Sequence, residues 1–267
     1  MLNHELIRPS SGAVARWILF THGIYGAGRN WNAVARRVIA ARPASGAIMV
    51  DLREHGGSKG REGPHTIEGA ARDVVELIES IAEPVDALVG HSFGGKVVLM
   101  VARLLGDGAP GEVWVIDSTP GARAEPSGSA WDMLGTLRSL PGPFASRNEA
   151  VARLEAAGWS TGVAQWVSTN LERADDGSYT WRIDLDVMEE LLHSFFGTDL
   201  WDVVEAAPAA TTVHFVKASE SSVLDETAIA RIRRAGARVR LHEVRGGHWL
   251  NADNPDAIVE LMSGGGA

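Results

Sequence analysis

The residues with the clearest chemical potential stand where an apolar run meets a glycine-rich turn. Residues 85–96 read VDALVGHSFGGK, and the turn contains a Gly-x-Ser-x-Gly pattern centred on Ser92. A serine on a sharp strand-to-helix turn has a strained backbone, and side chains two residues before and after it would collide. Gly90 and Gly94 carry no such side chains. The pattern predicts that Ser92 is an exposed nucleophile; the alternative is an ordinary glycine-rich turn.

A serine hydroxyl is a weak nucleophile until a base takes its proton, so the hypothesis requires a histidine nearby in the fold. Of nine histidines, His248 lies in the segment RGGHWL, after the last predicted strand and before a helix opened by Asn254 and Pro255. In a parallel sheet this loop shares an edge with Ser92, so we predict that His248 is the base rather than a packed or exposed histidine. His22 and His91 flank turns, and we expect both to hydrogen-bond the backbone.

The tetrahedral intermediate of acyl transfer carries an oxyanion that needs backbone N–H donors. The first predicted donor is the amide of Phe93, directly after the nucleophile. The second is expected in the turn HGIYG, residues 22–26, which follows an early strand and where Gly23 allows close approach of the backbone. We nominate the Ile24 amide, with the Tyr25 amide next; the alternative is a simple tight turn.

Two other glycine patterns overlap these elements and indicate different chemistry. Residues 90–96 also satisfy G-x-x-x-x-G-K, the phosphate-binding pattern of nucleotide hydrolases, but Val97 stands where Ser or Thr would ligate magnesium. Residues 106–111 spell G-x-G-x-x-G, yet they follow a helix and precede a strand, the reverse of a dinucleotide site. We therefore interpret the first as an incomplete phosphate cradle and the second as a loop.

These residues need a scaffold, and short apolar runs rich in β-branched residues supply its strands. The runs are Trp17–Thr21, Ala47–Asp51, Val85–Gly90, Val113–Asp117, Thr211–Val216 and Val239–Val244. Helical patterns lie between most of them, including one capped by Asn30 and one preceded by Thr66. The alternation predicts an α/β fold, with a mostly parallel sheet covered by helices on both faces.

Residues 120–203 interrupt this alternation. Their patterns are helical, with a capping-box spacing at Ser146 and Glu149 and an amphipathic run from Leu185 to Phe196 after Asp184, and no strong strand pair appears. We predict a core domain from residues 1–119 and 204–267, with a helical cap at 120–203. Five of the nine tryptophans lie in the cap, where they form its own core or line a substrate pocket. Residues 264–267 predict a short flexible tail.

Composition narrows the possible functions. The 267 residues carry a formal charge of −9, so we exclude a nucleic-acid partner. The absence of cysteine excludes disulfides, thiolate metal sites and a cysteine nucleophile. Neither a signal pattern nor a membrane-length apolar run is present at the start, which predicts a soluble, cytoplasmic protein. The sequence leaves the oligomeric state open.

With the His22-Gly23 turn, Ser92 and His248 following one another along the chain, the sequence resembles the α/β-hydrolase superfamily over essentially its whole length. The segment DLREHGGS, residues 51–58, is similar to the Asp-x-Arg-x-His-Gly-x-Ser loop of small bacterial carboxylesterases and their mitochondrial abhydrolase relatives, and residues 181–185 are similar to a cap segment of that group. A serine nucleophile argues against haloalkane dehalogenases and epoxide hydrolases.

The resemblance also bears on the acid of the triad. Most of the superfamily carries this acid after the strand that corresponds to Thr211–Val216, but this chain has Ser221 nearest to that place. The esterase branch uses an Asp at the end of the preceding strand, which implies Asp117. Glu220 and then Asp225 are the substitutes, and the structural alternative is that Asp117 merely caps a turn.

The resemblance implies hydrolysis of carboxylic esters of short to medium acyl chain, without a cofactor or metal. The expected partner is a small-molecule ester. Thioester hydrolysis or perhydrolysis would use the same residues, and a non-hydrolytic ligand receptor would use the same fold.

Overall fold

A seven-stranded sheet forms the centre of the computed structural model, which describes residues 1–264. The strand order is β1-β3-β2-β4-β5-β8-β9, and every neighbouring pair is parallel except β1 and β3. The strands are β1 (His4–Ile7), β2 (Arg16–Thr21), β3 (Ser45–Val50), β4 (Val85–His91), β5 (Glu112–Ile116), β8 (Thr212–Ala218) and β9 (Val239–Val244). The predicted α/β class with a mostly parallel sheet is confirmed.

Helices cover both faces of this sheet. They are α1 (Asn32–Ala41), α2 (Ile67–Glu79), α3 (Phe93–Leu105), α4 (Ser129–Ser139), α5 (Arg147–Ala156), α6 (Thr161–Val167), α7 (Leu185–Gly197), α8 (Trp201–Glu205), α9 (Glu226–Arg234), α10 (Leu250–Asp253) and α11 (Pro255–Met262). Apolar side chains of α2 and α3 pack in one core cluster, and those of α1 and α11 pack in a second. Because the central strands contribute to both clusters, they are apolar throughout rather than alternating.

Side-chain caps fix where several helices begin. Thr66 Oγ1 accepts a hydrogen bond from the Gly69 amide at the start of α2, as its position predicts. The expected cap at Asn30 is wrong, because a short 3₁₀ turn over Gly28–Trp31 precedes α1. Asn30 Oδ1 instead accepts from the Ala27 amide at 2.7 Å and holds that turn.

Residues 120–203, the proposed cap, contain α4 to α7 and the start of α8. Asp184 Oδ1 accepts from the amides of Asp186 and Val187 and begins α7, as predicted. The same segment also contains an antiparallel pair, β6 (Leu171–Arg173) with β7 (Tyr179–Trp181), so the expectation of no strand pair is wrong. Three-residue strands are too short to show an alternating pattern.

The apolar pattern of the sequence does not predict the first strand, β1. β1 is a four-residue edge strand, of which only Ile7 is buried, so it lacks an apolar run. The predicted tail lies outside the described residues from position 265 onward. No helix within residues 1–264 combines the length and the apolarity needed to cross a bilayer.

Candidate active site

The Ser92 turn has the geometry that its glycines predict. Ser92 has φ +52° and ψ −114°, between the end of β4 and the first turn of α3. A Cβ on Gly90 would lie 2.1 Å from the Gly94 carbonyl oxygen, and one on Gly94 would lie 2.6 Å from the His22 carbonyl oxygen. Larger residues at either position would force the turn apart, so these glycines allow the strained conformation that exposes Ser92 Oγ.

His248 and Asp117 lie beside this serine in one hydrogen-bonded chain. Ser92 Oγ is 3.1 Å from His248 Nε2, and His248 Nδ1 is 2.7 Å from Asp117 Oδ2. The carboxylate can only accept, which places the imidazole proton on Nδ1 and leaves Nε2 as the acceptor for the serine hydroxyl. Asp117 is fully buried, while the His248 side chain is 15% exposed. The structure thus brings together three residues far apart in sequence.

The local backbone explains why Asp117 reaches His248. Asp117 follows β5 with φ +43°, and its amide donates to the Val216 carbonyl on the neighbouring strand β8. Its second oxygen, Oδ1, accepts from the Ala218 amide at 3.1 Å, so both carboxylate oxygens have donors. The alternative acids lie elsewhere: Glu220 is exposed at the rim of a cleft, and Asp225 caps α9 through the Ala228 amide.

The turn after β2 lines the cavity at Ser92 with Gly23, Ile24 and Tyr25. The Tyr25 amide donates to His55 Nε2 at 3.2 Å, so it is already engaged. Within residues 1–264, neither the Ile24 amide nor the Phe93 amide donates a hydrogen bond to the protein. Of the two amides nominated in this turn, Ile24 is therefore the one available to an oxyanion.

The DLREHGGS loop braces this turn through two histidines. His55 Nδ1–H donates to the Arg53 carbonyl while its Nε2 accepts from Tyr25, and His22 Nε2 accepts from the Leu52 amide at 3.0 Å. Burial lowers the pKa of His22 to about 3 and that of His55 to about 4, so both remain neutral acceptors. His55 stands in the motif that resembles the esterase loop, but its contact with the turn is not predictable from the sequence.

The same loop is closed by Asp51. Its oxygens accept hydrogen bonds from the amides of Gly28 and Gly57 and from the Asn3 side chain, at 2.7–2.8 Å. Burial raises the pKa of this carboxyl, but the three hydrogen bonds outweigh that effect and hold its pKa below the ordinary value. Asp51 therefore stays ionised and connects the loop to the turn preceding α1.

His91, directly before Ser92, connects this serine to the His248 loop. Its Nε2–H donates to the backbone carbonyl of His248 at 2.7 Å, and the two rings lie 4.8 Å apart between centroids. Burial lowers the pKa of His91 to about 3, so this donor does not change with pH near neutrality. The expectation that His22 and His91 hydrogen-bond the backbone is confirmed, since His22 Nδ1–H also donates to the Gly23 carbonyl.

Two cavities open on Ser92. The first is a partly open pocket of about 360 Å³ that is mainly apolar, with Ile24, Met133, Trp159, Trp166 and Trp249 in its wall. The second is a cleft of about 990 Å³ whose wall includes Arg123, Glu220 and several hydroxyl side chains. Two of the five tryptophans in residues 120–203 therefore line the site, while the other three are absent from both walls.

The phosphate-binding alternative fails on the position of its lysine. Lys96 is fully buried, and its Nζ donates to the carbonyls of Gly121, Phe195 and Thr198 instead of facing an open cradle. Residues 106–108 form a short 3₁₀ turn after α3, in agreement with their interpretation as a loop. Across residues 1–264, no group of three or more His, Cys, Asp or Glu side chains is arranged to hold a metal ion.

The sheet order, the strained serine and the hydrogen-bonded histidine and aspartate define a hydrolase of the α/β class. In agreement, the sequence profile of the alpha/beta hydrolase family matches residues 18–261. The chain belongs to this family.

Individual relatives are distant but extend over almost the whole chain. A sn-1-specific diacylglycerol lipase of Mus musculus is 25% identical, covering 92% of this chain and 79% of the relative. An esterase of Mycobacterium tuberculosis is 28% identical, covering 97% and 88%. Among solved structures, a marine microorganism esterase superposes with a TM-score of 0.81 at 24% identity, with 97% of each chain covered. The superposition supports the fold.

Proposed function

We propose that this protein is a serine hydrolase that cleaves carboxylic esters of short to medium acyl chain through an acyl-enzyme on Ser92. The observation that carries the proposal is the chain of hydrogen bonds from Ser92 Oγ through His248 to the buried Asp117. The named relatives, a diacylglycerol lipase and an esterase, support ester bonds as the substrate class.

In the first half-reaction, Ser92 Oγ attacks the ester carbonyl carbon while its proton passes to His248 Nε2. The carbonyl oxygen becomes an oxyanion, which the amides of Phe93 and Ile24 stabilise. The intermediate collapses when the bond to the alcohol oxygen breaks, and that oxygen takes the proton from Nε2. The acyl group stays on Ser92 Oγ, and the alcohol leaves.

The second half-reaction repeats these steps with water. His248 Nε2 takes a proton from water, and the resulting hydroxide forms a bond to the acyl carbon. Ser92 then leaves as the alkoxide and recovers its proton from His248, which releases the carboxylic acid. Throughout, Asp117 keeps the imidazole oriented and stabilises its charged form.

The cavity at Ser92 supports an apolar substrate. Its wall is mainly apolar and includes Trp159, Trp166 and Trp249 beside Ser92 and His248, and a mainly apolar wall with a few polar groups is typical of small-molecule sites. We propose residues 120–203 as a cap domain, because Met133, Trp159 and Trp166 from this segment form part of that wall. We also propose a cytoplasmic location, on the sequence argument alone.

The decisive experiment is replacement of the nucleophile. Ser92→Ala should lower turnover of p-nitrophenyl butyrate by about 10⁴-fold or more, since triad members act as a unit. A fluorophosphonate probe should label the wild type at Ser92, as located by peptide mass, and should not label the variant. Ser139→Ala, on the exposed face of α4, is the matched control and should retain both properties.

Wild-type turnover by Ser92→Ala would contradict the proposal. Labelling of Ser92 without turnover of any ester or thioester would indicate a ligand receptor instead. A panel that pairs each ester with its thioester separates these two substrate classes on the same residues.

A further inference from the structure

Two tryptophans form a partition between the cavity at Ser92 and a third cavity. This third cavity, of about 800 Å³, is lined by residues of α6 and α10, including Val163 and Ala252. Its wall shares Trp166, His248 and Trp249 with the wall of the 360 Å³ cavity. Because the same side chains face both spaces, the pair Trp166 and Trp249 stands between them.

The partition joins the proposed cap to the loop of the base. Trp166 lies on α6, whereas Trp249 directly follows His248, and the two ring centroids are 5.9 Å apart with planes inclined by 54°. Both side chains are only partly buried. The indoles therefore contact each other across two separate parts of the chain. Trp166 packs against the edge of the first core cluster, whereas Trp249 packs against neither cluster.

Hydrogen bonding distinguishes this pair from the third tryptophan in the wall. Trp159 Nε1–H donates to Thr136 Oγ1 at 3.1 Å, which fixes that ring. Within the described residues, neither Trp166 nor Trp249 donates its indole N–H to a protein acceptor. Packing alone holds the pair, so its rings can be displaced without breaking a hydrogen bond.

We infer that Trp166 and Trp249 set the longest apolar chain that the site accepts, and that the 800 Å³ cavity is the space a longer chain would enter. The inference rests on the proposed function, because the chain in question belongs to an ester held at Ser92. It goes further by naming the residues that limit substrate length.

Substrate length gives a direct measure of this limit. Each methylene that moves from water to an apolar wall raises kcat/KM about threefold to fourfold. In a series of esters, log kcat/KM should therefore rise steadily and then break at the length where the chain reaches the partition. The position of the break reports where the partition stands.

The experiment compares Trp166→Ala and Trp166→Phe with the wild type in two series, p-nitrophenyl esters from acetate to laurate and alkyl acetates from ethyl to decyl. Removing the indole of Trp166 joins the two cavities, so the break should move to longer chains in at least one series. The ratio of kcat/KM for octanoate to butyrate, or for octyl to butyl acetate, should rise at least about tenfold, the gain from two of the four added methylenes entering the second cavity. Trp166→Phe should give a smaller shift.

Trp159→Ala is the matched control, because Trp159 lines the 360 Å³ cavity but not the 800 Å³ cavity. This variant widens the first space without joining it to the second, so its break should stay at the wild-type length. Circular dichroism checks the fold of each variant, and Trp166→Phe decides the matter if Trp166→Ala does not fold.

An unmoved break in both series would overturn the inference, as would an equal shift in Trp159→Ala. Absence of ester hydrolysis by the wild type would instead contradict the proposed function, so the two failures are distinguishable.

Discussion

Main-chain strain is concentrated around the nucleophile. Within residues 1–264, the non-glycine residues with positive φ are Tyr25, Glu54, Ser92 and Asp117. Ser92 and Asp117 belong to the hydrogen-bonded chain with His248, Tyr25 lies in the turn after β2, and Glu54 lies in the loop whose His55 contacts that turn. Such conformations cost about 1–3 kcal/mol each and persist where surrounding contacts hold them, as they do at functional sites. Their clustering supports the assignment of this region as the active site.

Asp117 and Glu220 can be compared directly as the acid. Asp117→Asn should lower kcat by about 10³–10⁴-fold, because an amide at this position no longer holds the Nδ1 proton and the charged imidazole. Glu220→Gln should change kcat only slightly, since Glu220 is exposed and makes no side-chain hydrogen bond to His248. Steady-state kinetics with p-nitrophenyl butyrate measures both. A larger loss in Glu220→Gln would reassign the acid.

The sequence was informative about the site where a residue type and its neighbours impose one conformation. Ser92 follows from glycines that no other residue could replace, and His248 follows from its loop at the carboxyl edge of a parallel sheet. The prediction that Asp117 is the acid depended on the family resemblance, because an Asp at the end of a strand is equally compatible with a turn cap. The His55 contact with Tyr25 could not be predicted, since it joins loops 30 residues apart through one ring nitrogen.

Helix α3 also anchors the segment above the site. Lys96 Nζ lies 2.9 Å from the Gly121 carbonyl oxygen, 2.8 Å from that of Thr198 and 4.5 Å from the ring centroid of Phe195. These groups lie after β5 and at the end of α7, so one side chain of the core holds both. Burial lowers the pKa of Lys96 to about 7, against the favourable partial negative charge of the helix C-terminus.

Lys96→Met should therefore lower the free energy of unfolding by about 2–4 kcal/mol, because buried carbonyls lose their donor. Hydrogen exchange of the last turn of α7 should accelerate in the folded variant. Lys217→Met is the matched control: its contact with the Ala218 carbonyl is local, so its effect should stay within about 0.5 kcal/mol. Urea unfolding measures both, and equal stabilities for the two variants would argue against the anchoring role of Lys96.

The elements that the sequence missed share a physical reason. The central strands are long apolar runs buried on both faces, and they were found almost to the residue. β1 at the sheet edge and the pair β6 and β7 have few buried side chains, so their pairing depends on tertiary contacts that no short-range pattern records. The prediction that Asn30 caps the first helix is wrong for a similar reason, because a 3₁₀ turn containing the buried Trp31 replaces the first turn of the expected helix.

Buried neutral histidines make the stability of the fold depend on pH. The folded protein takes up protons at His22 and His91 only near pH 3 and at His55 near pH 4, whereas the unfolded chain does so near pH 6.5. Between these pH values the unfolded state binds more protons than the folded state. The stabilisation of the folded state by these histidines is therefore complete above about pH 6.5 and is lost as pH falls. At pH 5 each group should reduce the unfolding free energy by about 2 kcal/mol.

Urea unfolding at several pH values tests this prediction. The free energy of unfolding of the wild type should fall by several kcal/mol between pH 7 and pH 5, because each of these three histidines contributes about 2 kcal/mol. In His91→Gln, the new side chain keeps an amide donor for the His248 carbonyl but does not titrate. The free energy of unfolding of this variant should therefore fall by about 2 kcal/mol less than that of the wild type over the same pH interval. The same pH dependence in both proteins would show that His91 is not protonated on unfolding.

His248 and Ser92, the proposed base and nucleophile, follow strands with different neighbours. β4, which carries Ser92, lies between β2 and β5, whereas β9, which precedes the His248 loop, is an edge strand paired only with β8. Edge strands open by local fraying at lower free energy than central ones. We therefore expect that fraying of β9 displaces the His248 imidazole while Ser92 and the core keep their positions. On this expectation, activity is lost at a lower urea concentration than the native fold.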